Sequence, residues 1–143
     1  DHAGGIEVCP ALPYKSPMFK QKFGVPSYGY GINASLLPGL PSCTITSIED
    51  VARPARTIAW GDAIQINTWQ APASPSNPMM EEWYYLDTAA PAKFHFRHGG
   101  LFNAVMVDGS VRSLRPDRLD PRCDGLSGFL EPAGQNSYLS TGP

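Results

Sequence analysis

His98 and Asp108 are the pair of residues in this sequence that most resembles a catalytic arrangement. They stand ten residues apart, on either side of the β-prone run 102–107. A strand rises about 3.3 Å per residue, so an extended chain would hold the two side chains roughly 20–30 Å apart. We therefore expect no proton transfer between them. Asp108 is expected to serve a turn, and the His98 ring to support the fold by a hydrogen bond to a neighbouring loop or to backbone.

Other patterns that carry chemistry are weak. No serine stands in a Gly-x-Ser-x-Gly elbow, and the sequence contains no glycine-rich phosphate loop. The sequence thus predicts no catalytic residue, and the protein is expected not to be an enzyme. His95 and His98 could share a metal ion if the chain bent between them, which we do not expect.

An acidic loop offers the one candidate metal site. Asp117, Asp120 and Asp124, followed by Gly125, have a spacing loosely suited to a hard cation. Calcium takes about six to eight oxygen ligands, and this spacing does not match an EF-hand loop. Two interpretations stay open here, a weak calcium site and a solvated turn. Calcium apart, no cofactor is predicted.

The cysteines are odd in number. Cys9, Cys43 and Cys123 include no Cys-x-x-Cys pair, so a zinc or haem site is poorly supported. For an exported protein we expect one disulfide and one remaining thiol, with three buried reduced cysteines as the alternative. Cys43 with Cys123 is the favoured pair, because Cys9 lies near a terminus that we expect to face another subunit.

The composition limits the fold class. The chain has 143 residues, which suits a single domain over 1–143, and a net charge of -2, which gives no basic surface for nucleic acid. With 42% hydrophobic and 17% charged residues the chain should fold. Its 14 glycines and 15 prolines, scattered along the chain, exclude a helical bundle. No apolar run approaches the ~18 residues of a membrane span.

The elements that would hold these side chains are mainly strands. Residues 57–60 are predicted as a buried strand, and 102–107 and 111–114 as a hairpin closed by a two-residue type I′ turn at Asp108-Gly109. That turn places Met106 opposite Val111 and makes a core face of Phe102, Ala104, Met106 and Val111, for which the chain offers no obvious cover. We predict an α+β fold tending to mainly β, with a small antiparallel sheet and long Pro/Gly-rich loops.

Several stretches resemble one family. The segment Phe96-Arg97-His98-Gly99-Gly100, then Asn103 and 107–111, contains a histidine, nine residues and Asp-Gly. This motif resembles that of prepilin-like bacterial proteins related to type II secretion pseudopilins and type IV pilins. Further stretches that agree in order are Val8–Pro10, Ser27–Asn33, Ile48–Pro54, Thr57–Asp62 and Trp83–Leu86. The likeness covers roughly residues 6–115. It implies a pilin-like head domain with structural roles for His98, Asp108 and Gly109. Members normally carry an N-terminal hydrophobic helix, which is absent from this chain.

The resemblance implies a structural function. We expect a subunit of an extracellular or cell-surface filament or secretion-associated assembly, with itself as partner, no nucleic acid and no membrane span in this chain. The alternative is an adhesin-like or carbohydrate-binding head that uses aromatic loops, and electron microscopy of native fibres would separate the two. The expected inter-subunit anchors are Tyr14, Met18, Phe19, Trp69, Trp83 and Tyr138.

Overall fold

Ten short β-strands form most of the regular structure. The computed structural model describes residues 8–40, 43, 45, 47–87, 93–132, 135 and 137–142. The strands are β1 (Tyr30–Asn33), β2 (Ile58–Asp62), β3 (Gln65–Asn67), β4 (Met79–Glu81), β5 (Tyr85–Leu86), β6 (Phe94–His95), β7 (Phe102–Met106), β8 (Val111–Leu114), β9 (Arg118–Asp120) and β10 (Ser127–Phe129). The helical elements among these residues are two single 3-10 turns, Ala34–Leu36 and Ile48–Asp50. The mainly-β prediction is confirmed, and none of the described helices has the length and apolar character needed to cross a bilayer.

Three sheets organise these strands. The main sheet has the order β5-β1-β2-β7-β8, and the smaller ones are β6-β10-β9 and β3-β4. All pairs are antiparallel except β1 with β5, which run parallel. The main sheet is therefore mixed, whereas the sequence predicted an antiparallel one.

The β7–β8 hairpin has the predicted strands but a different turn. Val105 lies opposite Val111, and the Met106 N–H donates to the Ser110 carbonyl at 2.8 Å. Three residues therefore lie outside the ladder, and Gly109, the last of them, has a φ of +84°. This is the three-residue loop that ends in a left-handed glycine. The positive φ of Gly109 is confirmed, and the two-residue turn is wrong by one residue.

The extra loop residue moves Val111 to the other face of the sheet. A shift of one residue in strand register exchanges the two faces. Val111 is accordingly 71% exposed, although the sequence placed it in the core. The carboxylate of Asp108 explains the longer loop, since its Oδ1 accepts the Ser110 N–H at 2.9 Å and the Ser110 hydroxyl at 2.6 Å.

A β-bulge in β2 has a similar effect. Ile58 pairs with Met106 but Trp60 pairs with Val105, so Ala59 is an extra residue on the β2 side. Ile58 faces inward and is fully buried, whereas Trp60 faces outward and is 47% exposed. The prediction of a wholly buried strand is therefore wrong at Trp60.

The inner face of the main sheet is covered by the chain itself. Phe102, Ala104 and Met106 are buried as predicted. The Phe94 ring meets the Phe102 ring edge-on, with centroids 5.2 Å apart. The expectation that this face lacks a cover is wrong. Its cover comes from β6 and from segments far along the chain, and consists of Phe94, Phe96 and Leu139.

Residues 138–141 close the inner core from one end. The Ile58 N–H donates to the Tyr138 carbonyl at 2.7 Å, which continues the pairing of β2. The Asn33 side-chain amide donates to the Leu139 carbonyl at 3.1 Å and to the Ile58 carbonyl at 2.9 Å. Asn33 and Ile58 thus hold the segment against β1 and β2.

A second, smaller core lies beneath the β3–β4 hairpin. Ile64, Ile66 and Met80 are fully buried there. The N-terminal loops cover them from the other side with Cys9, Leu12 and Phe19. The early part of the described chain thus packs as core, although it contains no regular helix.

Candidate functional site

The outward face of the main sheet forms an apolar groove. Trp60 and Val105 are cross-strand partners on this face, and Val111 lies beside Val105. The groove has a volume of about 630 Å³. We call it the outward groove, and its lining is Tyr28, Tyr30, Trp60, Gly61, Asn103, Ala104, Val105 and Val111.

Aromatic rings continue the outward groove across β1 and β5. The Tyr28 and Tyr84 rings meet edge-on with centroids 5.9 Å apart, and the Phe23 ring meets Tyr28 at 5.9 Å. Tyr84 and Tyr85 make a third edge-on pair at 4.7 Å. A shallower depression of about 360 Å³ joins these rings to the groove, lined by Phe23, Tyr28, Tyr30, Ile32, Trp60, Tyr84 and Tyr85.

The chemistry of the outward groove is that of binding. The residues that line it carry few polar side-chain groups, namely the Tyr28 and Tyr30 hydroxyls, the Trp60 indole N–H and the Asn103 amide. Burial raises the pKa of Tyr30 to about 12, and a hydrogen bond with the Cys9 thiol adds to the rise. The Tyr30 hydroxyl is thus far from a useful general base near neutral pH. The groove offers apolar area and no acid–base pair.

A buried polar cluster adjoins the outward groove. We use "polar cluster" for Cys9, Asp62, Arg97 and His98. The Arg97 Nη2 lies 2.7 Å from the Asp62 Oδ1, and the His98 Nε2 lies 3.3 Å from the same oxygen. The Cys9 Sγ lies 3.7 Å from the His98 Nε2, and it accepts the Arg97 Nε–H at 3.2 Å. Asp62 is fully buried at the end of β2.

Arg97 connects the polar cluster to the rest of the fold. Its guanidinium donates to the Gly29 carbonyl and lies with Nη1 3.4 Å from the His95 Nδ1. Since arginine can only donate, the His95 Nδ1 accepts, and its Nε2 donates to the Asp124 carboxylate at 3.0 Å. Burial alone would raise the pKa of Asp124, but the hydrogen bonds from His95 and from the Leu126 N–H, together with the charge of His95, outweigh it and lower the pKa.

Two residues that line the outward groove, Tyr30 and Asn103, contact the polar cluster. The Asn103 N–H donates to the Asp62 Oδ2 at 2.8 Å. The Tyr30 ring centroid lies 5.7 Å from the Arg97 Cζ. Four separate parts of the chain therefore meet here, and they contribute Cys9, the Gly29 carbonyl, Asp62, Arg97, His98 and the Asn103 N–H.

The structure separates the two residues of the sequence motif. The sequence predicted that the His98 ring would bond to a neighbouring loop or to backbone. In the structure the ring faces two side chains, those of Asp62 and Cys9. Asp108 is exposed at the hairpin turn, where hydrogen bonds from Ser110 lower its pKa. Asp108 serves the turn as predicted, and the carboxylate beside His98 is that of Asp62.

The predicted calcium ligands do not converge. Asp120 accepts two hydrogen bonds from the Arg122 guanidinium, at 2.9 and 2.6 Å, and these hydrogen bonds lower its pKa. Asp124 binds His95, and Asp117 is exposed. Within the described part of the chain, the group that brings three metal-ligating residues together is Cys9, Asp62 and His98. The calcium interpretation is replaced by separate local contacts.

The three cysteines are free thiols. Cys43 donates to the Ile45 carbonyl and Cys123 to the Pro78 carbonyl, each at 3.4 Å, while Cys9 lies in the polar cluster. The predicted Cys43–Cys123 disulfide is not formed, because the two sulfurs sit in different loops with different partners. Burial raises the pKa of the Cys123 thiol to about 11, which makes it a poor nucleophile.

The predicted anchors divide by exposure. Met18 and Trp69 are exposed, whereas Phe19 belongs to the second core. Tyr14 and Tyr138 are half-buried against the two cores. Trp83 stacks on Tyr84 with ring centroids 4.9 Å apart, and the ammonium groups of Lys22 and Lys93 lie 4.3 and 4.5 Å from its ring centroid. Met18 and Trp69 are therefore the anchors that remain accessible.

A second buried polar group surrounds Glu81 at the end of β4. Its carboxylate accepts hydrogen bonds from Gln65 and from Asn67, the latter at 2.9 Å, and pairs with Lys20 and Lys22 at 3.2 Å each. Burial alone would raise the pKa of Glu81, but these hydrogen bonds and charges together lower it. The set is fully paired, so it is suited to holding the β3–β4 hairpin to the N-terminal loops.

Sequence reasoning missed Asp62 and Trp60. No local pattern marks Asp62, since its partners Cys9 and His98 are remote in sequence. Trp60 was missed because a bulge cannot be read from alternation. Comparison with known proteins finds no match to this chain among protein-family models, curated proteins or solved structures.

Proposed function

We propose that this protein is a non-enzymatic structural subunit of an extracellular pilin-like or pseudopilin-like assembly, and that the outward groove is its assembly surface. The observation that carries the proposal is the exposed apolar face around Trp60, Val105 and Val111. Contiguous apolar patches of this kind usually mark contacts with another protein or segment. The resemblance to prepilin-like proteins is the reason for proposing that the assembly is extracellular and that its other subunits are copies of this chain.

The dimensions of the outward groove suit a helix. Neighbouring strands lie about 4.8 Å apart, so β1, β2, β7 and β8 make a face roughly 15 Å wide. An α-helix with its side chains is about 10–12 Å across. Aromatic and β-branched side chains form the floor, which suits the apolar stripe of such a helix. We propose that an apolar helix of another subunit of the assembly packs in the outward groove.

The alternative of a carbohydrate-binding head has one observation in its favour. The Tyr28, Tyr84 and Tyr85 rings form a partly exposed aromatic group at the edge of the outward groove. Sugars also need several polar groups that fix their hydroxyls. The groove provides few of these, so an apolar protein segment is the better-supported occupant.

Charged substitutions in the outward groove test the proposal. Val105→Lys places an ammonium group at the centre of the groove on a position that is already 39% exposed, so the fold should tolerate it. Leu119→Lys is the matched control, because Leu119 is 44% exposed on β9 in another sheet. Each variant is introduced into the full protein in its producing cells, and fibres are counted by electron microscopy.

We expect fibres to be lost in the Val105→Lys cells and retained in the Leu119→Lys cells, with equal amounts of folded protein. A photo-crosslinking residue at position 111 should then join the subunit to another protein segment, and one at position 119 should not. Normal fibres in the Val105→Lys cells would show that the groove is not the assembly surface. Glycan-array binding that is lost in Tyr84→Ala would favour the carbohydrate-binding alternative.

A further inference from the structure

We propose that Cys9, Asp62 and His98 form a binding site for one zinc ion. Each supplies one ligand atom: the Cys9 Sγ, the Asp62 Oδ1 and the His98 Nε2. These atoms lie within 4.8 Å of one another. Thiolate, imidazole and carboxylate are the ligand types that zinc takes from proteins. Calcium and magnesium prefer oxygen, so a site with one sulfur and one nitrogen excludes them as natural occupants.

Two of the three distances between the ligand atoms match the edges of a zinc tetrahedron. Zinc bonds of about 2.3 Å to sulfur and about 2.0–2.2 Å to nitrogen and oxygen put neighbouring ligand atoms roughly 3.3–3.6 Å apart. The Asp62 Oδ1 to His98 Nε2 distance is 3.3 Å. The Cys9 Sγ to His98 Nε2 distance is 3.7 Å. The Cys9 Sγ and the Asp62 Oδ1 lie within 4.8 Å of each other. Zinc binding therefore needs a side-chain shift of at most roughly 1 Å at this third edge.

The Asp62 carboxylate provides an independent observation. Asp62 is fully buried, and its Oδ1 accepts no hydrogen bond from any residue that the structure describes. The Arg97 Nη2 is 2.7 Å away, but this contact is an ion pair without hydrogen-bond alignment. A buried carboxylate oxygen without a directed partner is costly. Because Oδ1 also faces the His98 ring, a bound cation at this point would satisfy it.

The charge balance of the site is set by Arg97. Zinc binding displaces the proton of the Cys9 thiol and uses the lone pair of the neutral His98 ring at Nε2. The Cys9 thiolate and the Asp62 carboxylate then neutralise the two positive charges of zinc. The Arg97 guanidinium keeps the net charge of the occupied site at +1. Its side chain is 1% exposed and that of His98 is 31% exposed, so Arg97 lies on the inner side and the ion enters past His98. The positive charge of Arg97 lowers the affinity of the site for any cation. Zinc is affected less than a cation that binds thiolate weakly, because its bond to the Cys9 sulfur is strong.

Such a site would join three remote parts of the chain. Cys9 and His98 are 89 residues apart in sequence, and Asp62 lies between them at the end of β2. Three protein ligands leave a fourth position, which water can fill from the exposed side of His98. The zinc ion would thus hold the N-terminal loop against the main sheet, next to the outward groove. This inference does not depend on the proposed assembly function.

Cobalt titration of the unaltered reduced protein tests the site without any substitution. Cobalt(II) replaces zinc in tetrahedral sites, and a thiolate ligand gives it a charge-transfer band in the near ultraviolet. We expect one equivalent of cobalt to produce this band and one equivalent of zinc to abolish it. Absence of the band in folded protein would overturn the proposal, and so would a band that calcium removes.

Substitutions then identify the ligands. Zinc affinity is measured by competition with a chromophoric chelator for Cys9→Ser and His98→Gln, with Cys123→Ser as the matched control. Loss of a residue that only hydrogen-bonds to a metal ligand weakens a metal site about 10–100-fold, so loss of a direct ligand should weaken it at least ~100-fold. Cys123→Ser should bind as the unaltered protein does. A cobalt band that persists in Cys9→Ser, or disappears in Cys123→Ser, would assign the metal elsewhere. If Cys9→Ser fails to fold, His98→Gln carries the same comparison.

Discussion

Replacing Gly61 with alanine would disrupt the packing on which both candidate sites depend. A Cβ at Gly61 would lie 2.1 Å from the Phe102 Cζ and 2.7 Å from its Cε1. Carbon atoms in contact normally stay about 3.5–4.0 Å apart. The ring would have to retreat by roughly 1.5 Å, which is more than the pliability of a close-packed core. Phe102 is fully buried between Phe94 and Phe96, so it has no open direction in which to move.

The cost follows from this clash. Overpacking a core costs about 1–3 kcal/mol and occasionally more. Because the obstacle is a whole buried ring, we expect Gly61→Ala to lower the free energy of unfolding by about 3 kcal/mol. For a chain of this length each kcal/mol shifts Tm by about 2–4 °C, which predicts a fall of roughly 6–12 °C. Urea titration at constant m-value, with thermal unfolding, measures both quantities.

A double-mutant cycle makes the test specific. Phe102→Leu removes the ring atoms that meet the new Cβ, so it should be less harmful in the Gly61→Ala background than alone. The expected coupling energy is at least ~1 kcal/mol, within the range found for residues in contact. Gly142→Ala is the control, since the nearest atom to its Cβ would be 3.8 Å away. Additive effects at Gly61 and Phe102, or a Gly61→Ala protein as stable as the control, would refute the packing described for β2 and β7.

Two further changes test the turn and the buried carboxylate. Gly109→Val should cost about 1 kcal/mol or more, because a β-branched residue resists positive φ, whereas Gly109→Asn should cost less; equal urea midpoints would contradict the left-handed turn. The pKa of Glu81 is lower in the folded protein than its usual 4.5, so its contribution to stability is present above the unfolded pKa and is lost as pH falls through the folded pKa. The free energy of unfolding of Glu81→Gln should therefore be lower than that of the unaltered protein at pH 7 and approach it in acid. A difference in free energy that stays constant with pH would exclude Glu81 as the titrating group.

Local rules predicted the hairpin nearly to the residue. Alternation placed Phe102, Ala104 and Met106 on one face, and the Asp-Gly pair marked the turn with Gly109 at positive φ. The loop is one residue longer than predicted because the Asp108 side chain accepts hydrogen bonds from Ser110. An Asp-Gly pair alone does not tell which of the two loop lengths forms. That one residue decides which face carries Val111, and hence the outward groove.

Remote contacts were beyond the reach of such rules. The polar cluster brings together Cys9 and His98, which are 89 residues apart in sequence, and no spacing within one element predicts that contact. The sequence motif marked His98 and separated it from Asp108, but it did not identify Asp62 as the carboxylate beside the His98 ring. The bulge at Ala59 could not be predicted either, because the alternation of side chains expected for a strand gives no sign of an extra residue there.

The segment at 138–141 has a consequence for how the protein folds. The Asn33 amide binds the Leu139 carbonyl across 106 positions of sequence, and Ile58 on β2 binds the neighbouring Tyr138. Bringing such distant parts together costs conformational entropy before the new contact adds any stability. Chains with contacts between remote residues therefore fold slowly. β1 and β2 can pair early, but their inner core stays open until this segment arrives. We therefore expect the docking of residues 138–141 to be a late step of folding, and until it occurs the inner face of β1 and β2 stays open to water.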